Sequence, residues 1–152
     1  MNRRITKHEL FMNIAITLAL RSRCKRKKVG CLIIKDKTII SSGCNGPLKN
    51  STELGFDEHG YCTCPSNEKC GELESVHAEQ NVIAFSARRG IALENSTMYV
   101  TLSPCMGCAK IIIPAGISHV IYLKEYRITS GIEFLERNGI KVDRYSSLVQ
   151  EY

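Results

Sequence analysis

Apolar positions along the chain fall into short runs separated by polar breaks, and the period of the runs changes along the way. Leu10-Phe-Met-Asn-Ile-Ala-Ile-Thr-Leu-Ala-Leu20 follows Arg3, Arg4 and Lys7 and predicts a buried first helix. Basic residues before an apolar run also imitate a signal peptide. No small-x-small cleavage site follows, however, Arg23 spoils a lipoprotein-type cysteine site, and the run is shorter than the roughly 18 apolar residues of a membrane span. Next, Val29-Gly-Cys-Leu-Ile-Ile-Lys35 and Thr38-Ile-Ile-Ser-Ser-Gly43 flank the polar pair Asp36-Lys37 and read as a β-hairpin. Good helix formers from Ala78 to Arg89, closed by Gly90, predict a second helix. Strands are expected over Thr97–Leu102 and Ser118–Leu123, each after a helix, as in parallel crossovers. A helix from Thr129 to Asn138 and a final strand from Ile140 to Tyr145 complete an α/β chain.

The stretch from Pro47 to Glu74 breaks this order. It has little periodicity and carries His59, Cys62, Cys64 and Cys70. A loop of this length in a compact domain is usually functional or disordered, and three cysteines within nine residues argue that something ties it down. A closed structural zinc site would do so, with Cys62, Cys64 and Cys70 as ligands and Cys24 or His59 as the fourth; free surface thiols are the simpler alternative. Cys31 and Cys44 fall on or beside strands and read as packed thiols.

At 152 residues and 43% hydrophobic content, one domain with one core is expected. The net charge of +6 suits an anionic partner without separating nucleotide from nucleic acid. Eight cysteines would signal disulfides in a secreted chain. Thiolate metal ligands need them reduced, so a cytoplasmic setting, in a bacterium or a virus-infected cell, is expected.

The metal chemistry lies in Ser75-Val-His77-Ala-Glu79-Gln-Asn81 and Ser103-Pro-Cys105-Met-Gly-Cys108. His77 and a Cys-x-x-Cys pair 28 residues later supply three zinc ligands, and Glu79 remains free for proton transfer. Both segments read as helix starts, with Pro104 at a first helical position. Cys105 and Cys108 then share one face of a first turn, where the helix terminus favours thiolates. A structural zinc closes its fourth position with protein; a catalytic one leaves it to water. Two thiolates cancel the charge of the ion, so its water is acidified less than in an all-His site, and Glu79 fills that gap as the proton carrier.

With these residues in view the chain resembles the zinc-dependent cytidine and deoxycytidylate deaminases, most closely the phage and bacterial dCMP type. The resemblance runs from Ser22-Arg-Cys-Lys-Arg-Lys-Lys-Val-Gly30 through Gly43-Cys-Asn-Gly-Pro47 to Tyr126. It implies a three-layer α/β/α fold with a five-stranded mixed sheet, in a single deaminase domain over residues 1–152 with a Cys-rich loop at 47–74. It also implies hydrolysis of dCMP to dUMP and ammonia with Zn²⁺, for thymidylate supply. Some phage members carry a second metal, with a cysteine at the position of Cys24.

Helical spacing puts His77, Asn81, Ala84 and Arg88 on one face, so Asn81 is expected to look into the pocket, while Ala78, Val82 and Phe85 form a neighbouring core stripe. The resemblance places Ser22, Arg26, Asn45, Phe85 and Tyr126 near the substrate, and Asn45 and Arg88 near an effector. It implies a homohexamer activated by dCTP with Mg²⁺ and inhibited by dTTP, with no membrane and no stable nucleic-acid partner. Cys44 departs from the family, which usually has Tyr or Trp there. A tRNA adenosine-type deaminase shares His-Ala-Glu and Pro-Cys-x-x-Cys and stays open as an alternative, as does a non-enzymatic zinc module, which would have no need of Glu79.

Overall fold

A computed structural model describes residues 3–48, 56–63 and 75–148. Its elements are α1 (Lys7–Ala19), β1 (Gly30–Lys35), β2 (Thr38–Cys44), β3 (Gly46–Pro47), β4 (Ser75–Val76), α2 (Ala78–Arg88), β5 (Thr97–Leu102), α3 (Met106–Ile112), β6 (His119–Lys124), α4 (Ser130–Arg137), β7 (Lys141–Arg144) and α5 (Tyr145–Leu148). Every strand and helix read from the hydrophobic pattern is present, with ends displaced by a few residues at most.

The first helix starts at a capping box in which Thr6 Oγ1 accepts the Glu9 N–H at 3.1 Å and Glu9 Oε2 accepts the Thr6 N–H at 2.6 Å. The β1–β2 hairpin turns through Asp36 and Lys37, both at positive φ (48° and 65°), as the tight two-residue hairpin turn requires. Five strands form one mixed sheet in the order β2-β1-β5-β6-β7. The hairpin is antiparallel to itself and to β5, whereas β5, β6 and β7 run parallel.

Strand alternation divides the core into two layers. Cys31, Ile33, Met98, Val100, Val120 and Tyr122 face α2, α3 and α4 through Ala78, Val82, Ala109, Ile112 and Leu135. Leu32, Ile34, Tyr99 and Ile121 face α1 through Phe11, Met12 and Ala15. Both sides of β1 are therefore covered, which is why its sequence is a continuous apolar run instead of an alternating one. The result is the expected α/β/α sandwich. No helix among the described residues is long and apolar enough to cross a membrane.

The long loop is pinned at both ends: Gly46 pairs with Val76 and Pro47 with Ser75 in a short antiparallel ladder. On α2 the buried residues are Ala78, Glu79, Val82 and Ser86. Phe85 stands at the margin of this stripe and is 43% exposed, so it does not join the core as its spacing predicts. The stripe centres on Val82 and Ser86, and Phe85 lies at its margin beside Arg89.

Gly30 is where α1 and β1 touch. A Cβ there would lie 1.9 Å from the Ala15 carbonyl oxygen and 2.7 Å from the Ala19 nitrogen. Gly30→Ala is therefore expected to destabilise the protein by about 3 kcal/mol through overpacking of backbone on backbone, read from urea unfolding of the two proteins side by side.

Candidate active site

The site forms at one edge of the sheet because of strand direction. The carboxyl ends of β5 and β6 lie there together with the start of β1 and the end of β2, since the hairpin runs opposite to β5. Ligand crevices of open α/β sheets form outside the carboxyl ends of their parallel strands. At this edge lies a cavity of about 560 Å³. Among the described residues it is lined by His77, Glu79, Ser103 and Cys105, and also by Cys24, Arg26, Lys27, Asn45, Tyr126 and Arg127.

Both metal-binding segments are helix caps. His77 is the N-cap of α2 in extended conformation (ψ 155°), and its N–H donates to Gln80 Oε1 at 3.0 Å. Cys105 is the N-cap of α3 (ψ 171°), so that helix begins at Met106 and not at Pro104 as the sequence predicts. The difference has a use. An extended cap swings the Cys105 side chain across the helix mouth toward Cys108, which lies inside the first turn.

The ligand atoms converge. His77 Nδ1 lies 3.3 Å from Cys108 Sγ and 3.6 Å from Cys105 Sγ, and all three atoms fall within 4.8 Å of one another. A tetrahedral zinc with Zn–S near 2.3 Å and Zn–N near 2.0–2.1 Å separates its ligand atoms by about 3.5–3.8 Å, so the donor set fits this ion. Hydrogen bonds from Cys108 and His77 hold the Cys105 thiol down to about 3. The bond to Cys105 and burial raise Cys108 far above its usual range, and the bond to Cys105 raises His77. These groups share protons where a divalent cation would compensate two thiolates.

Glu79, the second residue of α2, is 4% exposed and lines the cavity. Burial raises its carboxyl, and a backbone N–H hydrogen bond and the charge of His77 offset this in part. A raised carboxyl beside a metal site is suited to holding a proton and passing it on.

The basic run divides into two sets. Arg23 covers the Phe56 ring at 4.9 Å, Lys25 pairs with Asp57 at 2.6 Å, and Lys28 Nζ reaches Tyr61 Oη at 3.2 Å. These three dock the 56–62 turn, whose Cys62 N–H donates to the Arg23 carbonyl at 3.0 Å. Arg26 and Lys27 are left to line the cavity, with the Lys27 ammonium 4.1 Å above the Tyr126 ring.

Ser22 is buried and its hydroxyl donates to the Asn45 carbonyl at 2.9 Å. Asn45 lines the cavity, but its amide is engaged on both sides, accepting the Val29 N–H at 2.8 Å and donating to the Lys27 carbonyl at 2.7 Å. Asn81 donates to the Cys44 carbonyl at 2.8 Å and is not among the lining residues, so it braces the loop that begins at Cys44. Phe85 is packed against Arg89, 5.9 Å from its ring, and Arg88 is exposed at the helix end. Burial raises the Cys31 and Cys44 thiols, as expected of packed cysteines.

Cys24 and Cys62 are both buried, close to one another in the backbone through the Cys62–Arg23 bond. Cys64 and Cys70 lie outside the described residues. His59 sits 3.5 Å from Glu58 and is largely exposed. Sequence reasoning missed Lys27, Arg127, Ser103 and Gln80. Only Gln80 carried a signal, as a glutamine three residues after a helix cap.

Residues 5–124 match the model of the cytidine and deoxycytidylate deaminase zinc-binding region. The chain belongs to the cytidine and deoxycytidylate deaminase family. Within this family it is 32% identical over 165 aligned positions to the deoxycytidylate deaminase of Enterobacteria phage T4, covering 86% of each chain. It is 30% identical to the deoxycytidylate deaminase of Saccharomyces cerevisiae, where the match covers 90% of this chain and 44% of the yeast protein. The dCMP deaminase of cyanophage S-TIM5, solved with dCMP and dUMP, superposes with a TM-score of 0.77 at 31% identity, over 94% of this chain and 99% of that one. The family's zinc-binding region thus coincides with the His77–Cys105–Cys108 cluster.

Replacing Cys105 by Ser leaves the helix cap in place and removes a thiolate. Zinc affinity is expected to fall by at least about a hundredfold, measured by metal analysis after dialysis against a chelator, with the far-UV circular dichroism kept.

Proposed function

We propose that this protein is a deoxycytidylate deaminase, converting dCMP and water to dUMP and ammonia. One observation carries the reading: a single cavity brings the metal cluster and buried Glu79 together with Arg26, Lys27 and Arg127 around Tyr126. The first group suits attack on the 4-amino carbon of cytosine; the cations suit a 5′-phosphate. The names of the yeast and T4 relatives, and the nucleotides bound by the cyanophage enzyme, support the same substrate.

His77, Cys105 and Cys108 would hold Zn²⁺, which when bound activates a water for attack on the ring. Glu79 is placed to move two protons in turn: the first from the attacking water to the ring nitrogen, where it stays in dUMP, and the second from the hydroxyl that attack leaves on the ring carbon to the departing amine. Its burial keeps bulk water from competing for these protons. Tyr126 supplies an aromatic wall for the base, and its backbone is held to the metal loop, Tyr126 N–H donating to Ser103 Oγ at 2.8 Å. Asn45 and Ser22 act through the backbone, fixing the Lys27–Val29 segment that carries the basic side of the cavity.

The family reading extends to regulation and assembly. The protein works as a homohexamer in the cytoplasm, activated by dCTP with Mg²⁺ and inhibited by dTTP. Phe85 and Arg88, exposed along α2, offer apolar and cationic surface for a subunit contact and a triphosphate, and Asn45 links that response to the cavity wall. A second Zn²⁺ is held by Cys24 and Cys62 with Cys64 and Cys70. The burial of the first two, and the bond of the Cys62 N–H to the carbonyl of Arg23 next to Cys24, support this pairing.

Activity and assembly measurements test these readings. In an ammonia-release assay with dCMP, CMP, dCTP, deoxycytidine and a tRNA anticodon stem, dCMP should have the highest kcat/KM. Glu79→Gln should lose about 10³-fold in kcat with its zinc retained. Preference for the RNA stem, or a Glu79→Gln variant near parental activity, overturns the assignment. For regulation, a particle of six subunits is expected in solution, with a sigmoidal rate dependence on dCMP that turns hyperbolic with dCTP and Mg²⁺. A monomer, or kinetics indifferent to both triphosphates, refutes that part alone.

A further inference from the structure

The helix α4 touches the metal loop at a place where neither contributes a side chain. A Cβ built on Gly131 would lie 2.1 Å from the Pro104 carbonyl oxygen, 2.8 Å from the Cys105 carbonyl carbon and 3.0 Å from the Cys105 carbonyl oxygen. Gly131 is buried in the first turn of the helix, and its φ is not positive, so backbone conformation does not call for glycine there. Glycine weakens a helix relative to alanine. Space alone demands it: two stretches of main chain meet with no room for one methyl group.

The atoms that Gly131 meets belong to the residue carrying the ligand Cys105 Sγ and to the proline before it. On its other flank the same loop is held by the opposite end of the β6–α4 connection. Ser103 N–H donates to the Lys124 carbonyl at 2.9 Å, and Ser103 Oγ accepts the Tyr126 N–H at 2.8 Å. Residues 103–105 are thus gripped by a segment that leaves β6, passes the cavity at Tyr126 and Arg127, and returns at Gly131. Among the described glycines only Gly30 meets backbone comparably closely, and that contact joins α1 to β1.

We propose that Gly131 is a positioning residue for the metal. By letting α4 rest on the Pro104–Cys105 backbone, it sets where Cys105 Sγ stands relative to Cys108 Sγ and His77 Nδ1. Those two ligands have other supports: Cys108 lies inside α3, and His77 is braced by the Gln80 side chain. Cys105 is an extended cap residue, held to its own helix through its carbonyl, which accepts the Ala109 N–H at 2.9 Å, and the helix laid across it supplies a further restraint. A side chain at 131 must push loop and helix apart, and a metal site tolerates errors of only about 0.2 Å in its ligand distances. The inference rests on Zn²⁺ being the ion bound by this cluster.

The test compares wild type, Gly131→Ala and Ile132→Ala, the last a control that removes partly buried packing from the same helix without adding a Cβ against the loop. Zinc affinity is measured by competition with a chromophoric chelator, the ligand field by the visible spectrum of the Co²⁺-substituted protein, and stability by thermal melting of the metal-free forms. Gly131→Ala is expected to bind zinc 10- to 100-fold more weakly, with altered Co²⁺ bands. Ile132→Ala should lose melting temperature while its zinc affinity stays within twofold of wild type. Equal zinc affinity in Gly131→Ala and wild type overturns the proposal, as does a loss in Ile132→Ala matching that of Gly131→Ala. Hydrogen exchange on the wild-type protein gives the same answer should Gly131→Ala not fold. Zinc removal should speed exchange of the amides of residues 131–135 at least tenfold more than that of β2, and a uniform change across the chain refutes the proposal. A wild-type protein that binds no zinc refutes the metal assignment instead.

Discussion

Three soft ligand atoms from two distant segments must meet within a few ångströms, and this requirement organises the molecule. His77 and Cys105 both stand as extended residues at helix N-termini, so two helices have to begin at nearly the same point. The sheet arranges this. Strand β5 delivers the second segment at its carboxyl end, and the antiparallel β1–β2 hairpin returns the chain to the same edge before the first segment. The Gly46–Pro47 and Ser75–Val76 ladder then closes the long loop and feeds His77 into place. A loop of some thirty residues can lie between hairpin and helix without loosening the site, because its ends are tied.

Electrostatics at this point follow from burial. Glu79 is raised by desolvation, Cys105 is lowered by donors and Cys108 is raised beside it, so the cluster is a set of groups whose proton occupancy depends on one another. Such coupling suits a site in which a cation replaces protons on sulfur and one carboxyl remains to carry a proton. The outer wall is organised by a different economy of charge. Three of the five cations between Arg23 and Lys28 hold the 56–62 turn, and the remaining two line the cavity. A basic run that reads as one solvated turn is in fact divided between structure and binding.

Several polar residues that the family resemblance places near a nucleotide serve the backbone. Ser22, Asn45 and Asn81 each bond main-chain atoms, and together they stitch the segments at residues 22–29 and 44–45 to the catalytic helix. Loss of one of these would reach the cavity through the position of Lys27 and of the Cys44 loop. The aromatic that the family usually has at position 44 is absent, yet the carbonyl of Cys44 keeps its partner in Asn81.

The His77, Cys105 and Cys108 cluster, the place of Glu79 beside it and the order of strands and helices were legible in the sequence. The chemistry of zinc binding demands specific residue types at short spacings, and burial of a two-faced sheet imposes a period that survives in the residues. Gly30 and Gly131 show the opposite case. Nothing in their neighbours along the chain distinguishes them, since what they respond to is backbone 15 or 26 residues away in sequence and in contact only after folding. The division of the basic run, the exposure of Phe85 and the cap position of Cys105 were likewise decided by tertiary structure. Each depends on which element packs alongside, and local spacing carries no record of that neighbour.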